Sequence, residues 1–232
     1  MIMPGEQFKL AFPSPILPLD ALFSDDQGQQ SLSVLRRWQE WPKSTLCVTG
    51  PENSGVTSIL KSWAKEVGGR YLVPADWENL DPKALSDLLS QPLCLDDCHR
   101  VEASASLLTI LNLAEESGVK ILIGGHGQPS SWHVTPLDLV SRLAAMTTIM
   151  LPAMDDEAFI RRLRAACLRR FIRIPEETLS FLEPRLDRSF QAIEAFADRL
   201  DRAMTETKRP ATIPLARDVL NELIEEWETD EV

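Results

Sequence analysis

At 232 residues, against roughly 100–200 per domain, the chain has room for one large domain or one domain with an appendage. Hydrophobic residues at 44% and charged residues at 25% are the proportions of a packed globular protein, which excludes wholesale disorder. With 24 Lys plus Arg against 35 Asp plus Glu, the formal charge of −11 argues against a protein whose main task is to neutralise phosphate backbone.

The first 25 residues carry short apolar groups separated by Pro4, Pro13, Pro15 and Pro18, with Gln7-Phe8-Lys9-Leu10-Ala11-Phe12 at their head. Proline at that density blocks helix continuation and ladder pairing, so an extended, loosely held arm is expected. Leu32, Leu35 and Trp38 have helical spacing over residues 31–41, stopped by Pro42. Residues 44–49 read as a first strand, followed by a turn from Gly50 to Gly55 and a helix over 57–66. Further strands are predicted at 71–73, 93–95, 119–123 and 147–151, with helices at 81–89 and 102–117 between them. Strands alternating with helices predict an α/β fold, a parallel sheet flanked by helices. After Pro152 the pattern is helical only, over 155–170, 175–182, 187–204 and 214–227. The expected organisation is an arm (1–25), an α/β domain (26–152) and a small all-helical lid domain (153–232).

No run approaches about 18 consecutive apolar residues, the length a membrane-spanning helix needs. The N-terminus lacks the basic region and apolar core of a signal peptide. Four cysteines are too few for a disulfide scaffold and point to a reducing compartment. A cytoplasmic protein with no membrane role is therefore expected.

Gly50-Pro51-Glu52-Asn53-Ser54-Gly55-Val56-Thr57 fits the P-loop pattern G-x-x-x-x-G-K-[ST] in spacing and in its place between a strand and a helix. In such loops backbone N–H groups and the helix N-terminus cradle phosphates, so Gly50, Pro51, Asn53, Ser54, Gly55, Val56, Thr57 and Ser58 are candidate nucleotide-binding residues. The lysine position is Val56, which supplies neither charge nor donor to the β/γ-phosphates. Asp96 and Asp97 end a buried strand where ligands bind in open α/β sheets. Asp96, with Thr57, would hold Mg²⁺, and Asp97 would orient or deprotonate water. The competing reading of this acidic pair is a helix cap.

Together these residues resemble the AAA+ module of the DnaA initiator, and more closely the short DnaA-homologous regulators of the Hda type in their alphaproteobacterial form. The resemblance runs from Gln7 to about Leu223. Its further carriers are 38–42 leading into the loop, Gln128-Pro129, Leu139 to Leu143 around Arg142, Leu186-Asp187-Arg188 and the segment Arg199 to Arg202. It implies that Gln7, Phe8, Leu10 and Phe12 form a DNA sliding-clamp binding peptide, an extended segment with apolar anchors. It also implies that Arg142 is an arginine finger acting in trans and that Arg188 is the sensor-2 arginine. ADP or ATP with Mg²⁺ is the implied cofactor, and clamp, DnaA initiator and further copies of the chain are the implied partners. No basic helix-turn-helix domain is present, so direct sequence-specific DNA binding is not expected, and a regulator is expected over an initiator. The implied function is negative regulation of replication initiation, by promoting hydrolysis of DnaA-bound ATP.

The chain departs from the pattern at Val56 and again at Gly124-Gly125-His126-Gly127, where a polar sensor side chain is expected. Efficient hydrolysis by the chain itself is therefore not expected. Two alternatives stand beside the regulator: a nucleotide-independent adaptor, and an ATPase drawing a lysine from Lys61 or Lys43. Cys94, Cys98 and His99 lack a second ligand pair for a metal, and Cys94, alternating within an apolar strand, reads as core. His126 and His133 match no catalytic triad. The basic run Arg161, Arg162, Arg164, Arg169, Arg170 and Arg173 reads as a solvated face paired to nearby acids, or as a surface for an acidic partner.

Overall fold

The computed structural model describes residues 16–23, 26–101 and 104–230. Five parallel strands, β1 (Thr45–Gly50), β2 (Arg70–Leu72), β3 (Leu93–Leu95), β4 (Ile121–His126) and β5 (Thr148–Met150), form one sheet in the order β2-β3-β4-β1-β5. Alternation along the strands assigns side chains to two cores. Cys47, Leu93, Leu95, Ile121 and Ile123 face one core, while Leu46, Val48, Cys94 and Leu122 face the other. Both faces are apolar because helices cover both.

On the first face lie α4 (Pro82–Leu88), α5 (Ser104–Ser117) and α6 (Leu137–Ala144), which contribute Leu85, Leu107, Ile110, Leu111 and Leu139. A short α3 (Pro74–Trp77) adds the buried Trp77. On the second face lie α1 (Asp26–Arg36) and α2 (Val56–Val67), with Leu35, Ile59, Leu60 and Trp63 inside. Trp63 is its centre. It stacks on Trp41 at 5.5 Å, meets Trp38 edge-on at 6.0 Å, and its indole N–H donates to the Leu35 carbonyl at 3.0 Å.

The lid is a separate helical core built from α7 (Asp156–Arg169), α8 (Glu176–Leu182), α9 (Phe190–Thr207) and α10 (Ile213–Asp230). Asp155 caps α7 by accepting from the Ala158 N–H at 2.7 Å, and Ser189 caps α9 through Ala192 at 3.1 Å. The arginines of the basic run are met by acids: Arg161 by Glu157, Arg164 by Glu176, and both Arg169 and Arg170 by Glu194. For those four the reading as a face paired to acids holds.

Three expectations are corrected. The arm does not extend loosely to residue 25: residues 19–22 form a 3₁₀ turn whose Leu19 and Leu22, with Phe23, are buried in the α2 core, and Ser62 Oγ donates to the Leu17 carbonyl at 2.7 Å. The clamp-peptide residues Gln7, Phe8, Leu10 and Phe12 lie outside the described residues. The helix predicted at 31–41 starts earlier and ends at Arg36, because Trp38 turns out of the helix to reach Trp63. The strand predicted at 119–123 begins at Ile121 and runs on through Gly124 and Gly125 to His126, since all three pair with β1.

Trp63→Ala is expected to cost about 3–5 kcal/mol of stability, the range for deleting a large buried aromatic side chain. Urea unfolding checks this, and Trp63→Phe should recover part of the loss.

Candidate functional site

The parallel register sets Gly50 beside His126 at the C-terminal ends of the two central strands. From Gly50 the chain turns into α2 through Asn53, at φ 62°, and Gly55, at φ 100°. Gly55 is the N-cap and makes no side-chain cap, and the first intrahelical bond of the turn runs from Ile59 N–H to the Gly55 carbonyl. The N–H groups of Val56, Thr57 and Ser58 therefore point out of the helix start, the arrangement that binds anions. In front of them opens a cavity of about 600 Å³ whose walls include Thr57, Ser58, Lys61, His126, Phe190 and Glu194.

Val56 is 3% exposed and packs into the fold: a Cβ at Gly124 would lie 2.9 Å from Val56 Cγ1 and 2.6 Å from Leu60 Cδ2. The two departures from the P-loop pattern are thus one packed contact, a valine in the lysine's place against a glycine in the sensor strand. Lys61 lines the cavity one turn further along α2, its Nζ 5.1 Å from the Tyr71 ring centroid. Lys43 lies before β1, at the opposite edge of the sheet, and drops out as a substitute.

Asp96 is buried, accepting from the Tyr71 hydroxyl at 2.7 Å and the Asp97 N–H at 2.9 Å. Burial and this carboxylate push the Tyr71 hydroxyl up, so it stays a proton donor. Asp97 follows at φ 52° and caps no helix with its side chain. Among the described residues lining the cavity, Thr57 appears and neither Asp96 nor Asp97 does. His99 stands against His126, ring centroids 4.7 Å apart, and burial followed by that neighbour lowers its pKa. Cys94 and Cys98 are buried thiols pushed up by desolvation, and Cys94 lies in the core as expected.

The lid closes the cavity with two residues that the sequence reading did not single out, Phe190 and Glu194. Phe190, the first residue of α9, lies directly over Gly55, where an added Cβ would come within 2.4 Å of its ring. The Arg162 guanidinium stacks on the same ring at 4.0 Å. Glu194, one turn on, carries its charge into the cavity wall, where Arg169 and Arg170 pair with it. Arg188 is held by Asp156 and by the Met154 carbonyl, and shares with Asn53 a smaller neighbouring cleft. Pro51 is exposed, its carbonyl accepting from Ser54 N–H, while the Ser54 hydroxyl is buried without a partner. Arg142 lies in the last turn of α6, half-buried, and no hydrogen bond or ion pair engages it among the described residues.

The residues present fit a phosphate group at the start of α2: outward N–H groups, an exposed Thr57 hydroxyl and a cavity of sufficient size. They do not fit the charge stabilisation of triphosphate cleavage, because Val56 is apolar and turned inward.

A five-stranded parallel sheet with a P-loop-like turn after its interior strand β1 and a helical lid over it is the AAA+ type of fold. The comparisons narrow this. Residues 155–220 match the family model described as Hda, lid domain. Domain III of the DnaA replication initiation protein from Thermotoga maritima superposes with TM-score 0.70 at 17% identity, over 88% of this chain and 95% of that one. AMPPCP-bound DnaA from Aquifex aeolicus gives 0.64 at 15% identity, over 79% and 64%. The Thermotoga maritima RuvB Holliday junction branch migration motor gives 0.64 at 14%, over 90% and 72%. An uncharacterised protein from Haemophilus influenzae is 27% identical, over 90% of this chain and 97% of its own length. The lid thus matches the Hda lid domain, and the chain as a whole has the fold of DnaA domain III. No helix among the described residues is long and apolar enough to cross a membrane.

Gly124→Ala should destabilise the fold by about 1–3 kcal/mol through overpacking. Val56→Ala added to it should restore part of that stability, and urea unfolding of the two single variants and the double variant reads the coupling.

Proposed function

We propose that the chain is a regulator of replication initiation that docks on the DNA sliding clamp through Gln7, Phe8, Leu10 and Phe12. There it presents Arg142 to an ATP-loaded DnaA initiator and promotes hydrolysis in that partner, restraining re-initiation. The observation that carries this reading is the state of Arg142. Most arginines of the lid, from Arg161 to Arg209, are ion-paired, whereas among the described residues Arg142 has no counter-ion and its buried Nη1 has no acceptor. A half-buried cation without a partner is costly in its own fold, so a group from another molecule is the natural complement. A guanidinium supplied in trans stabilises charge developing on a transferred γ-phosphoryl group.

Nucleotide in the chain's own cavity plays a structural part in this reading. ADP, or ATP with Mg²⁺, would lie with its phosphates on the outward N–H groups of α2 and help hold lid to sheet. Thr57 would hold the ion with Asp96 after that carboxylate turns from Tyr71. Asp97 then has no efficient cleavage to assist within its own subunit. A second reading, an adaptor that binds clamp or initiator without nucleotide, is favoured by one feature: the Phe190 ring already covers Gly55.

Phosphate release from ATP-loaded DnaA, mixed with DNA-loaded clamp and this chain, tests the proposal. Arg142→Ala should lower the stimulated rate at least about tenfold, part of the roughly 10³–10⁵ that arginine fingers supply, while clamp binding persists. Full stimulation by that variant would contradict it. Gln7→Ala combined with Phe12→Ala should weaken clamp binding at least about tenfold by surface plasmon resonance, since both anchors of an extended peptide are lost.

A further inference from the structure

Where β1, β3 and β4 end, two imidazoles and a carboxylate that the proposed reaction does not use converge from two backbone segments, the turn after β3 and the end of β4. Asp97 projects from a left-handed turn after β3, His99 from the 3₁₀ turn Cys98–Arg100, and His126 from the last position of β4. One nitrogen of each ring and one carboxylate oxygen of Asp97 lie within 4.8 Å of one another. The rings meet edge to face at 69°.

The hydrogen bonding of the three residues leaves their donor atoms open. His99 Nδ1 is buried without a hydrogen-bond partner, and its distance to Asp97 Oδ1, 4.0 Å, is too long for one. A buried polar atom left in that state calls for an explanation by a group that binds there. His126 Nδ1 lies 3.1 Å from the Gly50 carbonyl, which makes it the donor nitrogen and leaves the Nε2 lone pair. A ring N–H anchored on a backbone carbonyl is the support that metal-bound histidines have. Gly125, having no side chain, lets the His99 ring lie flush with the strand: a Cβ there would come within 3.2 Å of its Nδ1.

We infer that Asp97, His99 and His126 form a binding site for one divalent first-row transition ion, with Zn²⁺ the ion that their donor set suits best. Two imidazoles and one carboxylate match zinc and its neighbours, while Mg²⁺ takes oxygen donors and several waters. Donors around a tetrahedral zinc, at about 2.0–2.2 Å from it, stand about 3.4 Å apart. The Asp97 side chain, 35% exposed, is free to swing inward to close that difference. Cys98 next to the site is not a ligand, its Sγ being turned to the Leu95 carbonyl at 3.3 Å. Three protein ligands leave a fourth position for water or an anion. Because His126 also lines the cavity, the ion would stand at the rim of the anion-binding helix start. The site rests on these three residues and is independent of whether the arm and Arg142 act as proposed.

Zn²⁺ titrated into the full chain in competition with a chromogenic chelator tests this, with Co²⁺ absorption as a second probe. One ion per chain is expected, with Co²⁺ bands of a nitrogen–oxygen site and no thiolate charge transfer. His126→Gln and Asp97→Asn should each weaken binding at least about tenfold. His133→Gln, changing the one remaining histidine of the three, should leave binding as in the unaltered chain. Metal-free thermal unfolding of each variant, matching the unaltered chain, separates loss of the site from loss of the fold. No bound ion in the unaltered chain, or equal affinity in the His126→Gln and Asp97→Asn chains, overturns the inference.

Discussion

The pairing of β1 with β4 fixes every other relation in the α/β domain. Six residues of each strand run in register from Thr45↔Ile121 to Gly50↔His126. A shift by one residue would turn Leu46 and Val48 away from α2 and send Cys47 toward it, inverting both cores at once. The apolar demand of two helical layers therefore holds the register. The register in turn brings the glycine turn, the acidic end of β3 and His126 to one edge.

At that edge, packing has replaced charge. Val56 fills the space that Gly124 leaves empty, so the contact adds to the core where a lysine would have faced phosphate. The lid reinforces the closure: Phe190 sits on Gly55, Arg162 lies on Phe190, and Glu194 is held between Arg169 and Arg170. A lid tied down by this stack gives a fixed platform, which suits a protein that completes a partner's site better than one that opens and closes on its own substrate. Arg142, at the end of α6, keeps a buried guanidinium nitrogen without an acceptor among the described residues.

Much of the architecture is written locally. Strands β1 and β3 are short apolar runs between turn residues, α7 opens on an Asp cap, and the P-loop spacing marks the start of α2. The lid was legible as a change of period after Pro152. What escaped was non-local. Gly124 and Gly125 look like a loop until their pairing with β1 is known, so His126 could not be placed beside Gly50. Phe190 lies two residues after the expected sensor arginine, yet nothing in a single sequence says that its ring will cover Gly55. The 3₁₀ turn over 19–22 is hidden among prolines, because its helix-like contacts come from α2. The meeting of Asp97, His99 and His126 depends on sheet order, which spacing along the chain does not encode.

The proposed function places cleavage in the partner's nucleotide and not in this chain's own. The direct measurement loads DnaA with ATP labelled at the γ-phosphate and gives this chain unlabelled nucleotide, with clamp and DNA present. The account predicts that labelled phosphate appears in step with added chain, and that reversing the label, so that only nucleotide offered to this chain carries it, yields almost none. Label released mainly in the reversed arrangement would contradict the account.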